Sequence, residues 1–246
     1  MRYFIELAYK GTNYNGFQKQ PQAKSVQTEV ENALQIVLGK FTPIVGCGRT
    51  DTGVHAQQFF AHFDTEDHIE NLLSFTRKIN QLLKNDIVVF RIFEVDTKAH
   101  ARFDAYYRKY EYHLIFEKNP FLIDQAYRLF KPLNFEQMQE AARVLLNYND
   151  FKAFAKLGSP VNHFRCQLYE SYLVKNSETH WIYHIAANRF LRNMVRAIMG
   201  TLLQIGHEKM DLLTFINIIE GKERSKAGKS AQAQGLFLTE VRYPFL

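Results

Sequence analysis

Cysteine, tryptophan and proline are scarce in this chain of 246 residues, at two, one and six respectively. Two thiols, Cys47 and Cys166, cannot build the disulfide framework of a small secreted domain, so they read as reduced cytosolic thiols. No stretch approaches the ~18 consecutive apolar residues of a membrane-spanning helix. The opening MRYFIELAYKG, broken by Glu6 and Lys10, does not have the form of a signal peptide. Also missing are a C-x-x-C pair, H-E-x-x-H spacing, a P-loop, a G-x-G-x-x-G fingerprint and a G-x-S-x-G elbow. The acidic run of Asp64, Glu66 and Asp67 reads as solvated charge rather than a cation site. The expectation is a soluble cytoplasmic protein whose chemistry uses neither metal nor cofactor.

What is present is enough for a core. Hydrophobic residues make up 46% and aromatic residues 14% of the chain, which excludes disorder as the main state. A chain of this size hides roughly 70–75% of the surface its unfolded form exposes. The net charge of +6 is unevenly placed. Residues 1–150 carry 18 basic and 18 acidic side chains, residues 151–246 carry 13 and 7. A basic half beside a neutral half suits an anionic partner.

Hydrophobic periodicity predicts a strand over 2–9 and a loop over 11–22, followed by a helix capped by Ser25. A short strand at 43–47 then runs into GRTDTGVHA, with Asp51 at the apex of a turn and Phe59, Ala61 and Phe63 alternating beyond it. A helix from Ile69 to Leu83 and a strand over 87–95 complete a β-α-β-β-α-β unit. The second half reads as an aromatic strand over 106–116 and a helix with Asn134 and Gln137 as a capping box. Strands near 167–174 and 179–186, helices over 188–205 and 211–220, and a last strand over 235–242 complete it. No linker separates the halves, so the expected division is 1–102 and 103–246, two packed α+β halves with a cleft between them.

Three segments could carry chemistry. In GRTDTGVHA, Gly48 and Gly53 bracket a polar turn that projects Arg49 and Asp51. A carboxylate beside a guanidinium stays ionised, as a nucleophile or base at neutral pH must. Turn chemistry alone favours the other reading, in which Asp51 bonds its own backbone. In AYYRKYEYHLIF, alternation puts Tyr106, Arg108, Tyr110, Tyr112 and Leu114 on one face, a pattern that fits either phosphate and base contacts or a half-buried strand. In the helix expected at 188–205, Arg189, Arg192 and Arg196 form one guanidinium stripe. The segment GKERSKAGKS at 221–230 reads as a mobile basic loop.

Those segments carry a resemblance. GRTDTGVHA resembles the signature GRTDAGVHA of the tRNA pseudouridine synthase A family. YKGTNYNGFQKQPQAKSVQTEVENAL, AHARFDA with RKYEY, FLRNMVRAIMGTLLQIG and GLFLTEVRYP are similar to further blocks of that family, in the same order. The resemblance implies an α+β pseudouridine synthase fold with mostly antiparallel sheets and a central RNA-binding cleft, in a homodimer. It implies an isomerase that converts uridine to pseudouridine at tRNA positions 38, 39 and 40 in the anticodon stem-loop. Asp51 is then the catalytic aspartate, Tyr110 the tyrosine against the target base and Arg196 the aspartate's partner. Arg49 is expected at the RNA, as are Arg102, Arg189 and Arg192.

The chemistry breaks the N1–C1′ bond, turns the base and rejoins it through C5. Asp51 either adds to base or sugar or abstracts a sugar proton, and Tyr110 removes the C5 proton. The chain departs from the family pattern at Thr52 (usually alanine), Phe17 (usually tryptophan), Arg192-Asn193 (often Tyr-His) and Ala233-Gln234 (often with a proline). The competing readings are a noncatalytic tRNA-binding protein and the same reaction at a different uridine.

Overall fold

The computed structural model of the chain describes residues 1–158 and 161–246. They gather into two compact units, residues 1–106 with 237–246, and residues 107–236. The last ten residues thus join the first unit, whereas the expected division grouped them with the second half.

In the first unit β1 (Arg2–Tyr9) lies between β3 (His55–Asp64) and β4 (Ile87–Val95), antiparallel to both. The short β2 (Val45–Gly46) pairs with β3, and the terminal β9 (Leu236–Arg242) joins β3 in parallel through His55↔Phe237 and Ala56↔Leu238. Helix α1 (Val26–Leu38) begins where Ser25 accepts the Thr28 N–H, and ends at Gly39 with φ 72°. A Ser cap satisfies an orphan N–H, and glycine accommodates the left-handed closing turn. Its apolar stripe, Val26, Val30, Ala33 and Leu34, is buried. Helix α2 (Leu72–Leu82) starts later than its periodicity suggested, because Asn71 caps it and the Ile69 N–H is spent on the Tyr3 hydroxyl.

In the second unit β8 (His180–Ala187) lies between β5 (Tyr107–Ile115) and β7 (Leu168–Ser177), antiparallel to both, and β6 (Tyr127–Arg128) runs parallel to β5. Helix α3 (Phe135–Val144) is capped by Asn134, which accepts the Gln137 N–H. Helix α4 (Met194–Gly206) is buried nearly all round, and α5 (Leu212–Gly221) is capped by Asp211. Both units are therefore α+β with mostly antiparallel sheets. Cys47 and Cys166 are buried free thiols, and burial pushes the Cys166 thiol up to about 11.

The helix expected over 188–205 is shorter at its start. Asn193 sits at its cap with φ 64°, a left-handed conformation that asparagine tolerates better than most residues, so residues 188–192 lie outside α4. Only Arg196 of the three arginines is helical, and the expected stripe of Arg189, Arg192 and Arg196 does not exist.

Candidate active site

Asp51 opens a turn whose backbone is held from two sides. The Val54 N–H donates to the Asp51 carbonyl at 3.1 Å, and Gly53 has φ 79°, a conformation that side chains rarely adopt. The loop after β1 packs against this turn without intervening side chains. A Cβ on Gly16 would stand 2.3 Å from the Thr50 carbonyl oxygen, and one on Gly11 2.0 Å from that of Val54. The Gly53 N–H donates to the Tyr14 carbonyl at 3.3 Å, and the buried His55 accepts the Gly11 N–H at 3.0 Å. Thr50 is buried, with its hydroxyl 2.9 Å from that of Tyr9. Asp51 is half-buried and Arg49 exposed. Gly48 has neither positive φ nor a neighbour within 4 Å of a Cβ, so the expected glycine bracket reduces to Gly53 plus two glycines far earlier in sequence.

Phe17, where the family usually has tryptophan, is a core residue. Its ring stacks on Phe59 at 4.1 Å, and both rings lie where a Cβ on Gly46 would go.

In the second unit most of the aromatic strand β5 is structural. Tyr112 and Leu114 are fully buried, the Tyr112 hydroxyl donates to the Gln232 carbonyl at 2.7 Å, and Arg108 donates to the Asn188 carbonyl at 2.8 Å. On the opposite face Lys109 pairs with Glu170 at 2.8 Å, and Glu111 lies between His113 and His184 at 3.4 Å from each. These two imidazoles hold the Glu111 carboxyl below its usual range, His113 most strongly. The cations of β5 are thus engaged within the sheet. Tyr110, on the same face as Arg108 and Tyr112, is half-buried and edge-on to Phe190 at 5.1 Å.

Arg196 projects from the first turn of α4, clamped by a reciprocal pair of bonds. Its Nε donates to the Ala231 carbonyl at 2.8 Å, and its own carbonyl accepts the Ala231 N–H at 2.9 Å. The segment 221–230, expected to be mobile, is docked on α4. A Cβ on Gly200 would stand 1.8 Å from the Lys229 carbonyl oxygen, and the Gly228 N–H donates to Thr201 Oγ1 at 2.9 Å. Arg224 closes the loop on itself through the Gly228 carbonyl and Ser230 Oγ, while Lys222 and Lys226 pair with Asp150 and Glu223. Desolvation lowers the pKa of Arg224. Of the segment's basic side chains, Arg224 is therefore spent within the fold, while Lys222 and Lys226 stand in surface ion pairs.

Of the remaining predicted contacts, Arg192 and Arg102 are exposed, and Arg189 lies 3.2 Å from the His163 imidazole. Sequence periodicity does not single out Ala231, Gly200, Gly16 or Gly11. A glycine inside the apolar helical run IMGTLL is the one available signal, since it marks close backbone approach. Among the described residues no group of three or more His, Cys, Asp or Glu is arranged to hold a metal ion, and no helix is long and apolar enough to cross a membrane.

A carboxylate on a glycine-packed turn and a clamped arginine on a buried helix, in α+β units with mostly antiparallel sheets, are consistent with the pseudouridine synthase fold. The family model described as tRNA pseudouridine synthase matches residues 141–244. The chain is 46% identical over 243 residues to tRNA pseudouridine synthase A of Parabacteroides distasonis, covering 99% of this chain and 96% of that one. It is 45% identical to that of Bacteroides fragilis with the same coverage, and 37% identical over 241 residues to that of Clostridium acetobutylicum, covering 97% and 98%. The chain belongs to the tRNA pseudouridine synthase A family, a family of isomerases.

Proposed function

We propose that this protein isomerises uridine to pseudouridine at positions 38, 39 and 40 in the anticodon stem-loop of tRNA, as a cytoplasmic homodimer, with Asp51 as the catalytic carboxylate. The observation that carries this reading is the Asp51 turn, a half-buried carboxylate on a backbone fixed by Gly53 and by the close approach of Gly16. Preorganised geometry of that kind is what a group acting on one glycosidic bond requires. Asp51 either adds to the base or sugar as the N1–C1′ bond breaks and is expelled when the turned base forms the C5–C1′ bond, or it takes a sugar proton to give a glycal and returns that proton as C5 joins C1′. Tyr110 stacks against the extruded base and takes the C5 proton, which passes to N1, so atoms and electrons balance without a net redox change. Arg196 is the site's arginine that the family resemblance assigns to act with Asp51. Arg49, Arg102, Arg189 and Arg192 contribute backbone contacts to the RNA.

The test incubates wild-type and Asp51→Asn protein with an unmodified tRNA transcript and maps pseudouridine by carbodiimide-dependent primer extension. Stops at 38 to 40 from the wild type alone are expected. Turnover by Asp51→Asn refutes the role of Asp51, stops elsewhere move the target, and tight binding without turnover by the wild type favours a noncatalytic RNA-binding protein.

A further inference from the structure

Residues 96–106 form a segment that turns its acidic side chains onto its own backbone. Asp96 accepts the Lys98 N–H at 2.8 Å, and Asp104 accepts the His100 N–H at 2.7 Å. The next three N–H groups all go to imidazole nitrogens. His62 Nδ1 accepts that of Ala101 at 3.1 Å, and His100 Nδ1 accepts those of Arg102 at 3.1 Å and Phe103 at 3.3 Å. Arg2 holds the Ala99 carbonyl at 2.8 Å and Tyr243 that of Ala101 at 2.6 Å. An imidazole nitrogen that accepts must be unprotonated. Burial, aided by the charge of Arg2, lowers both histidines' pKa and keeps them in that form.

On this saturated backbone Phe103 stands 73% exposed. Its ring lies against His100 at 4.4 Å, with the Arg102 guanidinium 5.5 Å from its centroid. Over residues 96–106 the exposed side chains are two aromatic rings, Phe103 and Tyr106, the cations Lys98 and Arg102, Thr97, and Asp96, whose carboxylate accepts the Lys98 N–H. A ring of this size left in water forgoes its burial free energy. The hydrogen bonds around it hold the backbone that presents it.

We propose that Phe103 is a stacking platform for an unpaired base of the RNA substrate, with Arg102 beside it for the adjoining phosphate. This rests on the RNA-modifying reading above and adds a binding residue to it. Every base offers a π face to a ring, and a neighbouring cation suits the backbone that carries the base. A protein partner would be met by exposed aliphatic neighbours, which residues 98–103 do not offer.

The test compares Phe103→Leu, which keeps bulk and loses the π face, with Phe103→Tyr, which keeps both. Phe103→Leu is expected to raise the KM and Kd for an unmodified tRNA transcript about 5- to 150-fold, the range that stacking spans per base. Its kcat at saturating tRNA stays within about twofold of wild type, Phe103→Tyr restores affinity, and the melting temperature is unchanged. A second readout introduces Phe103→Trp in a Trp181→Phe background. The Trp181 indole nitrogen has no hydrogen-bond partner among the described residues, so its loss orphans nothing. Quenching of the introduced indole's fluorescence by tRNA supports the platform, and fluorescence that saturating tRNA leaves unchanged counts against it.

Unchanged KM in Phe103→Leu beside an active wild type overturns the platform and leaves the function standing. A wild type that binds tRNA through Phe103 without turnover does the reverse. Altered sedimentation of Phe103→Leu with unchanged tRNA affinity overturns the platform in favour of a contact between copies of the chain.

Discussion

Replacing Gly200 by alanine tests how α4 and the 221–231 segment position Arg196. In a helix interior Gly→Ala ordinarily stabilises by about 0.5–1 kcal/mol. At Gly200 the new methyl would lie 1.8 Å from the Lys229 carbonyl oxygen, a backbone atom, where an ordinary contact needs 3.4 Å or more. The segment must retreat by more than 1.5 Å, as the difference between those two distances requires. That retreat strains the Gly228–Thr201 bond and both Arg196–Ala231 bonds, each 2.8 to 2.9 Å now. Overpacking costs about 1–3 kcal/mol and each weakened bond about 0.5–1.5 kcal/mol. With all three bonds weakened and the usual Gly→Ala gain subtracted, the net expectation is a loss of about 1.5–7 kcal/mol, or roughly 3–28 °C in melting temperature for a chain of this size.

Gly221, the last residue of α5, has nothing within 4 Å of a Cβ and supplies the opposite sign. Gly221→Ala should gain about 0.5–1 kcal/mol. Calorimetric melting and urea unfolding of both variants, with kcat for Gly200→Ala, give the measurement. The kcat should fall at least about tenfold as Arg196 moves, since small misplacements of positioning groups cost that much or more. A Gly200→Ala protein that melts at or above wild type refutes the close approach and the clamping of Arg196 together.

Arg196→Lys should keep the fold but lower kcat at least about tenfold, because an ammonium point charge does not reproduce the planar guanidinium whose Nε donates to the Ala231 carbonyl; wild-type turnover removes Arg196 from the reaction. His62 is pushed down to about 4 by burial and the charge of Arg2. Unfolded, it titrates near about 6.5. The unfolded state therefore binds more protons between these values, so the contribution is complete above about pH 6.5 and is lost as pH falls toward about 4. About 1–2 kcal/mol is expected after allowing for solvent screening. Urea midpoints at about pH 7.5 and about pH 5 should converge in His62→Gln relative to wild type, and an equal drop in both refutes the assignment. Glu31 is buried and accepts from the Ile44 N–H at 3.2 Å and Gln27 Nε2 at 2.8 Å. Glu31→Ala orphans the Ile44 N–H, while Gln27 Nε2 keeps its bond to the Ile44 carbonyl at 3.1 Å, and should cost about 1–3 kcal/mol in urea unfolding; an isostable variant shows that water replaces the carboxylate.

The Ser25 and Asn134 caps, the β-α-β-β-α-β order and the strands of both units other than β6 were legible, because each is set by residues within a few positions of one another, whereas Asp211, expected inside its helix, caps it. The Asp51 turn was legible for the same reason, with the positive-φ Gly53 just ahead of β3. Reading Arg189, Arg192 and Arg196 as one stripe failed because helical periodicity carries no information on where Asn193 adopts φ 64°. The aromatic alternation of β5 was visible, but not that Arg108, Lys109 and Glu111 find partners at residues 188, 170 and 184.

The sequence by itself determined the family and most of the elements and nominated the candidate site residues, since periodicity, caps and motif spacing are written in neighbouring residues. Only the tertiary structure decided which cations are spent, which glycines are contacts and which ring is left in water. Those outcomes depend on pairs such as Gly11 with Val54, Gly200 with Lys229 and His62 with Ala101, brought within hydrogen-bond or van der Waals reach by packing between segments distant in sequence.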